Sequence, residues 1–561
     1  MIGFDANAAL SRALRLAAAC LGSSVVLGIL LRNLLRMRRR ALLWNKLPGL
    51  AHVARQGHVL GALVGEDVIP RGKAVTPENF RRGILRGMRE SLRKDDSLRR
   101  QGIVAVHYFN ERLSRALPVH NMHVLVVHKM EYIREILAAK NQHKFAKGRS
   151  YEVFEPLLGH GVLSSSGEWW HQQRRVLDLA FKDRLVNRTV PIMNATTDKL
   201  VAKLKAVEAT GGTINMTEEL LKLTMDGLGH FALSHEFGSL EAATSDDAIF
   251  YNAFEVILST LNTRVFVPPA QATRNLPFAA NREFDAAMAI LRRECKKIMT
   301  RRALELTQRR KDGVEPRDLL DVMLLGQVTD ADGSRRPLTS KEALDNMFSV
   351  VFAGHDTTAA LLTFAVYLLS TCDQRIVNKL HAELDAELGP DGALSPESMN
   401  RLPYLDAIVT EALRLYPSAL FTRKVLEDIE LGGFVIPEGS ELFVWPQLTQ
   451  RDPDNFDDPD AFIPERWTDR LREDGRPLKI EMALLGREMA YLPFSMGPRN
   501  CVGRAFAIAE TKAVLVRLLR VFDFQHVPDQ DFSPDPVLNV TFNAAPMRMR
   551  PVLRVRGGGS T

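Results

Sequence analysis

The chain reads as a mainly α protein with a small β-rich lobe, preceded by an N-terminal transmembrane helix. Three observations lead there. Helical patterns fill the long middle, about 185–310, and recur towards the C-terminus. The β-branched runs are short and clustered, at Ile103–Tyr108 and Val124–Val127. A charge-free apolar run, Leu16–Leu31, lies near the start and stops at arginines. The body shows no internal repeat, low-complexity stretch or Gly-rich linker, so one large domain is the simplest account of it.

At 561 residues and 46% hydrophobic content the chain can bury a large core, and a charged fraction of 25% suits a soluble body. The net charge of +7 fits an anionic membrane surface or an acidic protein partner. No zinc-finger spacing or RNP motif accompanies it, so no nucleic-acid partner is expected. The four cysteines, Cys20, Cys295, Cys372 and Cys501, lie far apart and suit a reducing compartment. Three of them read as small buried hydrophobes; Cys501 has distinctive surroundings.

Leu16–Leu31 would cover roughly 24 Å as a helix, slightly short of a ~30 Å bilayer core, with Ala13 and Leu14 extending it. Arg32, Arg36, Arg38, Arg39 and Arg40 follow. A cleaved signal peptide would end in small residues instead. The arginines place the rest of the chain in the cytoplasm by the positive-inside rule. A buried core helix is the rival reading. Leu47-Pro48-Gly49 then marks a stop. The expected layout is an anchor with its basic stop-transfer segment over 1–45, a body over 46–555, and a flexible tail over 556–561. The basic segment 81–100 puts Ile84, Leu85, Met88 and Leu92 on one helical face. A solvated surface helix is the simpler reading, and a helix lying on the membrane the sharper one.

Met130–Ala139 reads as a helix, and Val267-Pro268-Pro269 breaks the helical middle. Ser340–Leu369 has the length of a central buried helix, with Thr339 and Glu342 as a capping box. Its centre, Ala353-Gly354-His355-Asp356-Thr357-Thr358, is poor in helix formers and calls for a reason. Gly354 leaves room beside it, and a hydroxyl can divert a backbone hydrogen bond. A polar kink without chemistry is the bland alternative. Glu411-Ala412-Leu413-Arg414 precedes a helix end at Leu415-Tyr416-Pro417, and Arg504–Phe522 reads as another helix.

The decisive segment is Phe494-Ser495-Met496-Gly497-Pro498-Arg499-Asn500-Cys501-Val502-Gly503. A thiolate that ligates iron must stay deprotonated, which nearby positive charge and backbone N–H groups favour. Glycines let the backbone turn tightly. Arg499 has the reach to grip a carboxylate, and the following helix would aim its positive end at the sulfur. These residues carry the pattern Phe-x-x-Gly-x-Arg-x-Cys-x-Gly and resemble the cytochrome P-450 superfamily. Five fixed residues at this spacing would arise by chance about once in ten thousand chains of this length.

That resemblance implies the mainly helical P-450 fold and a haem (heme b, iron protoporphyrin IX) with Cys501 as axial thiolate. It implies cofactor binding by Trp170, Arg174, Arg423, Phe494, Gly497, Arg499 and Gly503, with Lys424 as a substitute for Arg423. Ala353–Thr358 resembles the family's Ala/Gly-Gly-x-Asp/Glu-Thr-Thr motif, in which Asp356 and Thr357 would deliver protons to dioxygen; His355 falls at the variable position. Pro464-Glu465-Arg466-Trp467 resembles Pro-Glu-Arg-Phe, which makes Glu411, Arg414 and Arg466 a buried charge-paired triad. The motifs follow the family's order from about Gln101 to Val555. The implied reaction inserts one atom of dioxygen into a C–H bond with electrons from NADPH. The chain shows no flavin- or nicotinamide-binding segment, so a separate flavin reductase would supply them, with cytochrome b5 as a second candidate partner. The resemblance to microsomal members implies a single-pass endoplasmic reticulum protein.

Anchoring favours a lipophilic substrate. Local likeness of Phe154–Gly161 and Leu415–Ser418 to fungal and plant fatty-acid and alkane hydroxylases favours that class over a sterol, terpenoid or aromatic xenobiotic. The region between Arg423 and Pro437 departs from the alkane hydroxylases. Val350–Ala353 and Ser418–Phe421 are apolar and could line a pocket or pack the core. A haem-thiolate isomerase or dehydratase, a haem-binding electron carrier and a haem-free scaffold are the rivals. Asp356-Thr357 argues against the first, and the intact cysteine loop against the last.

Overall fold

The computed structural model describes Arg89, Leu92, Arg93, residues 96–107 and 123–555, less 243–247, 267–270, 272, 310–314, 331, 390–391, 469–489, 529, 531–536, 539–540 and 544. The apolar run, the arginines after it, Leu47-Pro48-Gly49, the Pro-rich break and the closing tail lie outside the described residues.

Ten helices carry the architecture: α1 (Met130–Leu137), α2 (Gly167–Asp178), α3 (Thr189–Ala209), α4 (Met216–Leu233), α5 (Ile249–Phe266), α6 (Ala279–Arg309), α7 (Ser340–Thr371), α8 (Gln374–Leu388), α9 (Pro403–Leu415) and α10 (Arg504–Leu519). A five-stranded sheet forms the lobe from β1 (Ile103–His107), β2 (His123–Val127), β3 (Phe145–Lys147), β4 (Phe421–Val425) and β5 (Glu441–Val444), in the order β1-β2-β5-β4-β3. Near the C-terminus, β6 (Phe522–His526) pairs antiparallel with β9 (Arg548–Leu553), and β7 (Val537–Leu538) with β8 (Phe542–Asn543).

Both expected strands form, and the helical middle resolves into α3 to α6. The expected helix to Ala139 ends at Leu137, where Ala138 turns extended and a 3-10 turn follows. The expected helix to Phe522 ends at Leu519. Phe522 is fully buried in β6, where pairing with Leu553 satisfies its backbone in a strand. Apolar residues continue across that junction, so hydrophobic pattern alone could not place it.

The central helix α7 explains itself locally. Thr339 accepts from the Glu342 N–H while Glu342 accepts from the Thr339 N–H, a complete capping box. Arg336 adds a two-pronged grip on Glu342 at 2.7 and 2.9 Å. Beyond this first turn the helix is mostly buried, packed by α4, α9 and α10. Among the described residues α7 alone is long and apolar enough to cross a membrane. Since 83% of its most apolar stretch is buried in the protein, it is a core helix. α9 starts with Pro403 at its first turn and stops before Tyr416-Pro417, because a residue preceding proline is pushed out of helical geometry.

Candidate active site

The cysteine loop leads into α10 and lies against the end of α1 and against Arg174 of α2. The Cys501 N–H donates to the Phe494 carbonyl at 2.9 Å, closing the loop at its two ends. Gly497 sits at φ 72°, and a Cβ there would lie 2.1 Å from the Leu137 carbonyl oxygen, so only glycine fits. Gly503 caps α10, and its N–H bonds towards the Cys501 sulfur. Burial pushes the Cys501 thiol up; that N–H, Arg174 and Arg504 pull against it. An iron ion would supply the remaining charge needed for a thiolate. Cys295 is buried, as expected of a small hydrophobe, whereas Cys372 is only half-buried. Cys501 instead is exposed. A sulfur both exposed and closely surrounded faces a space inside the protein.

α7 supplies a matching surface. From Asp345 to Val366 its residues are buried except Ala353, Gly354 and Thr357, which share one helical face. An open strip in the middle of a core helix marks the wall of an internal space. The Thr357 hydroxyl donates to the Ala353 carbonyl at 2.7 Å, as a diverted backbone bond would require, and the helix runs on unbroken. The room beside Gly354 is used by α4. A Cβ would stand 3.0 Å from the Leu228 side chain, so Gly354 also permits close helix contact. Asp356 points away from the strip, is buried, and accepts from the Thr541 hydroxyl. His355 is fully buried between the Tyr251 and Phe254 rings, and burial holds its pKa down to about 3. It is neutral there.

The cysteine loop also carries Arg499 into a cationic group. Arg499 stacks on Trp170, its guanidinium carbon 4.2 Å from the ring centre, and donates to the Ser165 carbonyl at 2.9 Å. A cavity of about 440 Å³ is lined by Trp170, Arg423 and Arg499 with Ile136, Leu137 and Phe145. Arg423 is buried and donates to the Thr422 carbonyl at 2.9 Å. Lys424 points elsewhere, 3.6 Å from Glu152, which removes it as a substitute. Adjacent side chains of a strand face opposite ways, and only Arg423 is turned inward. The sequence reading missed Lys147. It lies directly across from Arg423 in the β3–β4 pair, and its ammonium stands 4.3 Å from the Tyr151 ring centre. Like charges directly opposite are destabilising. Burial first, then Arg423 and Arg499, push the Lys147 pKa well below its usual 10.5. Burial first, then Arg423 and Arg174, hold Arg499 down to about 10. Among the described residues no carboxylate pairs with these three cations. No local signal marks Lys147; strand pairing alone brings it there.

Arg174 differs from its expected use. Its donors go to Asn500, at 2.7 Å to the carbonyl and 3.0 Å to the side-chain oxygen, and to Asp178 at 2.7 Å. It holds the cysteine loop to α2.

Deeper in, Glu411 is fully buried and saturated. Arg414 forks onto it with two bonds of 2.8 Å, and Arg466 adds one at 3.2 Å. The Ile463 N–H and the Trp467 indole N–H complete it at 3.0 and 2.9 Å. The indole explains the tryptophan in Pro464–Trp467, since phenylalanine has no donor to offer. Its N–H was the readable signal, and the sequence reading did not use it.

Together these residues fit a flat, dianionic, iron-bearing macrocycle: a sulfur on one face, an open helix strip, and unneutralised cations at the edge. Comparison with known proteins agrees. The family model described as Cytochrome P450 matches residues 115–548. The chain is 30% identical over 447 residues to a Drosophila melanogaster protein named probable cytochrome P450 4s3, covering 76% of this chain and 83% of that one. It is 30% identical over 412 residues to human cytochrome P450 4V2, covering 71% and 74%. The crystal structure of the cytochrome P450DA heme domain superposes with a TM-score of 0.67 at 21% identity, covering 87% of this chain and 97% of that one. A second cytochrome P450 crystal structure gives 0.68 at 23%, covering 84% and 98%. These last two speak for the fold. With the cysteine loop, the open helix strip and the matched family model in agreement, the chain belongs to the cytochrome P450 family and is a haem-thiolate monooxygenase.

Proposed function

We propose that Cys501 is the haem-iron ligand and that the enzyme hydroxylates a lipophilic substrate, with a fatty acid or alkane the favoured class. The observation that carries the reading is an exposed cysteine just ahead of α10, a helix that packs against α7 and its open strip. Haem, when bound, would supply the dioxygen chemistry, and the Cys501 thiolate would tune it by electron donation. The rest is work for the chain. The Gly503 N–H and the start of α10 stabilise the sulfur as an anion. Trp170, Arg423 and Arg499 meet the propionates, with Lys147 as a fourth contact. Phe494 and Gly497 shape the loop, and Arg174 positions it. Thr357 holds a proton at its hydroxyl oxygen, and Asp356 replenishes it from behind the helix. Glu411, Arg414 and Arg466 keep the scaffold beneath rigid.

The layout of anchor, body and tail goes with this reading. The anchor would hold the enzyme to the cytoplasmic face of the endoplasmic reticulum, where NADPH electrons arrive through a flavin reductase, with cytochrome b5 as a second donor. For the substrate, the support is the anchor and the local likeness of Phe154–Gly161 and Leu415–Ser418 to fatty-acid and alkane hydroxylases. Val351 and Phe352 are buried, with Phe352 packed on Phe154, so that run speaks for the core. Reduced protein with carbon monoxide should show the strongly red-shifted Soret band of thiolate-ligated haem, and Cys501→Ser should abolish it. A Cys501→Ser variant that keeps the band would end the assignment. A panel of C12–C18 fatty acids and alkanes, followed by the ferric spin-state shift and by product, tests the substrate class separately.

A further inference from the structure

We propose that Thr541 is a positioning residue for proton delivery, its hydroxyl holding the Asp356 carboxyl behind Thr357. The proposal rests on the monooxygenase reading above. Asp356 and Thr357 are neighbours on α7 but face different surroundings. Thr357 belongs to the open strip, whereas Asp356 is 2% exposed. A buried carboxyl must be oriented by what touches it, and the Thr541 hydroxyl donates to its Oδ2. Thr541 is 185 residues away along the chain, 3% exposed, between β7 and β8. Its backbone is fixed too, by a bridge to Ala419 just before β4. The contact is therefore made by the fold and is no accident of local sequence.

The charges around Asp356 show why such a hold is needed. Glu255, on α5, carries a buried Oε1 without a partner. Burial, and after it the charge of Asp356, pushes the Glu255 carboxyl up to about 8. Tyr251 and Phe254 of the same helix close over His355, their ring centres 6.2 and 5.5 Å from its own. Asp356 is thus a poorly solvated carboxyl within electrostatic reach of a second acid. A carboxyl in a proton path alternates between charged and neutral forms. A hydroxyl can donate to the first and accept from the second by rotating, so it keeps the group in place through both. Valine has the same shape and neither ability.

The holoenzyme with a flavin reductase and NADPH tests this, using dodecanoic acid as the added probe. Hydrogen peroxide released per NADPH is the readout, and it is measurable whether or not that acid is hydroxylated. Thr541→Val should raise it roughly three- to tenfold, the worth of one hydrogen bond to a carboxyl group. Thr541→Ser should return it to the wild-type level, and the carbon monoxide band should be unchanged in both. Thr541→Ala, also without a hydroxyl, makes the same comparison if the valine variant loses that band. Peroxide unchanged in the hydroxyl-free variants, or raised as much by serine, overturns the role of Thr541 and leaves the monooxygenase reading intact. A wild-type enzyme that consumes no NADPH with the reductase overturns both.

Discussion

Two groups of buried cations in this protein differ in what neutralises them. Around Glu411, the charges of Arg414 and Arg466 meet a carboxylate whose oxygens are saturated by five bonds in the 2.8–3.2 Å range. At the cavity edge, Lys147, Arg423 and Arg499 have aromatic rings and carbonyls for company and no paired carboxylate among the described residues. A closed network of the first kind serves the scaffold, since each of its charged groups is hydrogen-bonded within the protein. An open group of the second kind costs free energy until an anion arrives, which is how a fold declares a ligand it does not itself supply.

The contrast can be broken most severely at its closed end. Glu411→Ala leaves Arg414 charged and fully buried, and about 3–5 kcal/mol of stability should go with it. Urea unfolding of the variant, or its failure to accumulate as haem-loaded protein, reads this out; a loss under about 1 kcal/mol would deny the network its structural weight. Trp467→Phe is a finer cut. It removes one donor to a charged acceptor and keeps the ring, so a loss of roughly 1.5–3 kcal/mol is expected. Equal stability would mean that the indole N–H is replaced by water.

The open end should respond with the opposite sign. Lys147→Met removes the ammonium opposite Arg423 and ought to stabilise the apoprotein near neutral pH by roughly 0.2–1 kcal/mol, the scale of a cross-strand pair, while weakening haem retention. The pH dependence follows from the direction of the shift. Folding lowers the lysine pKa from 10.5, so unfolding takes up a proton between the lowered value and 10.5. Wild-type apoprotein therefore gains stability relative to the variant as pH rises through that window, and the advantage of Lys147→Met shrinks. Thermal unfolding of both apoproteins at several pH values checks it. A variant advantage independent of pH would show that Lys147 is not charged and buried in the apoprotein.

Much of this site was legible from residue identity and spacing. The cysteine loop, Ala353–Thr358, Glu411–Arg414 and Arg466 were all named from the chain, because each motif is local and its residue types are costly to place anywhere without a reason. What escaped has a common cause. Lys147 faces Arg423 through a strand pair 276 positions long in sequence, from Phe145–Lys147 to Phe421–Val425. Thr541 reaches Asp356 across 185 residues. Arg174 looked like a cofactor ligand and spends its donors on Asn500.

Local chemistry dictated the helix-rich class, the capping box at Thr339 and Glu342, the glycine at the turn of the cysteine loop, and the candidacy of Cys501. These follow from interactions within a few residues, which the order of side chains specifies directly. Tertiary packing decided the rest: that Phe522 is strand and not helix, that Lys424 faces out while Arg423 faces in, that Arg423 and Arg499 line one cavity with Lys147 across the strand pair, and that Asp356 is held from the far end of the chain. Such outcomes depend on which surfaces meet when α7, the β-lobe and the C-terminal strands close on one another, and no short stretch of sequence contains that meeting.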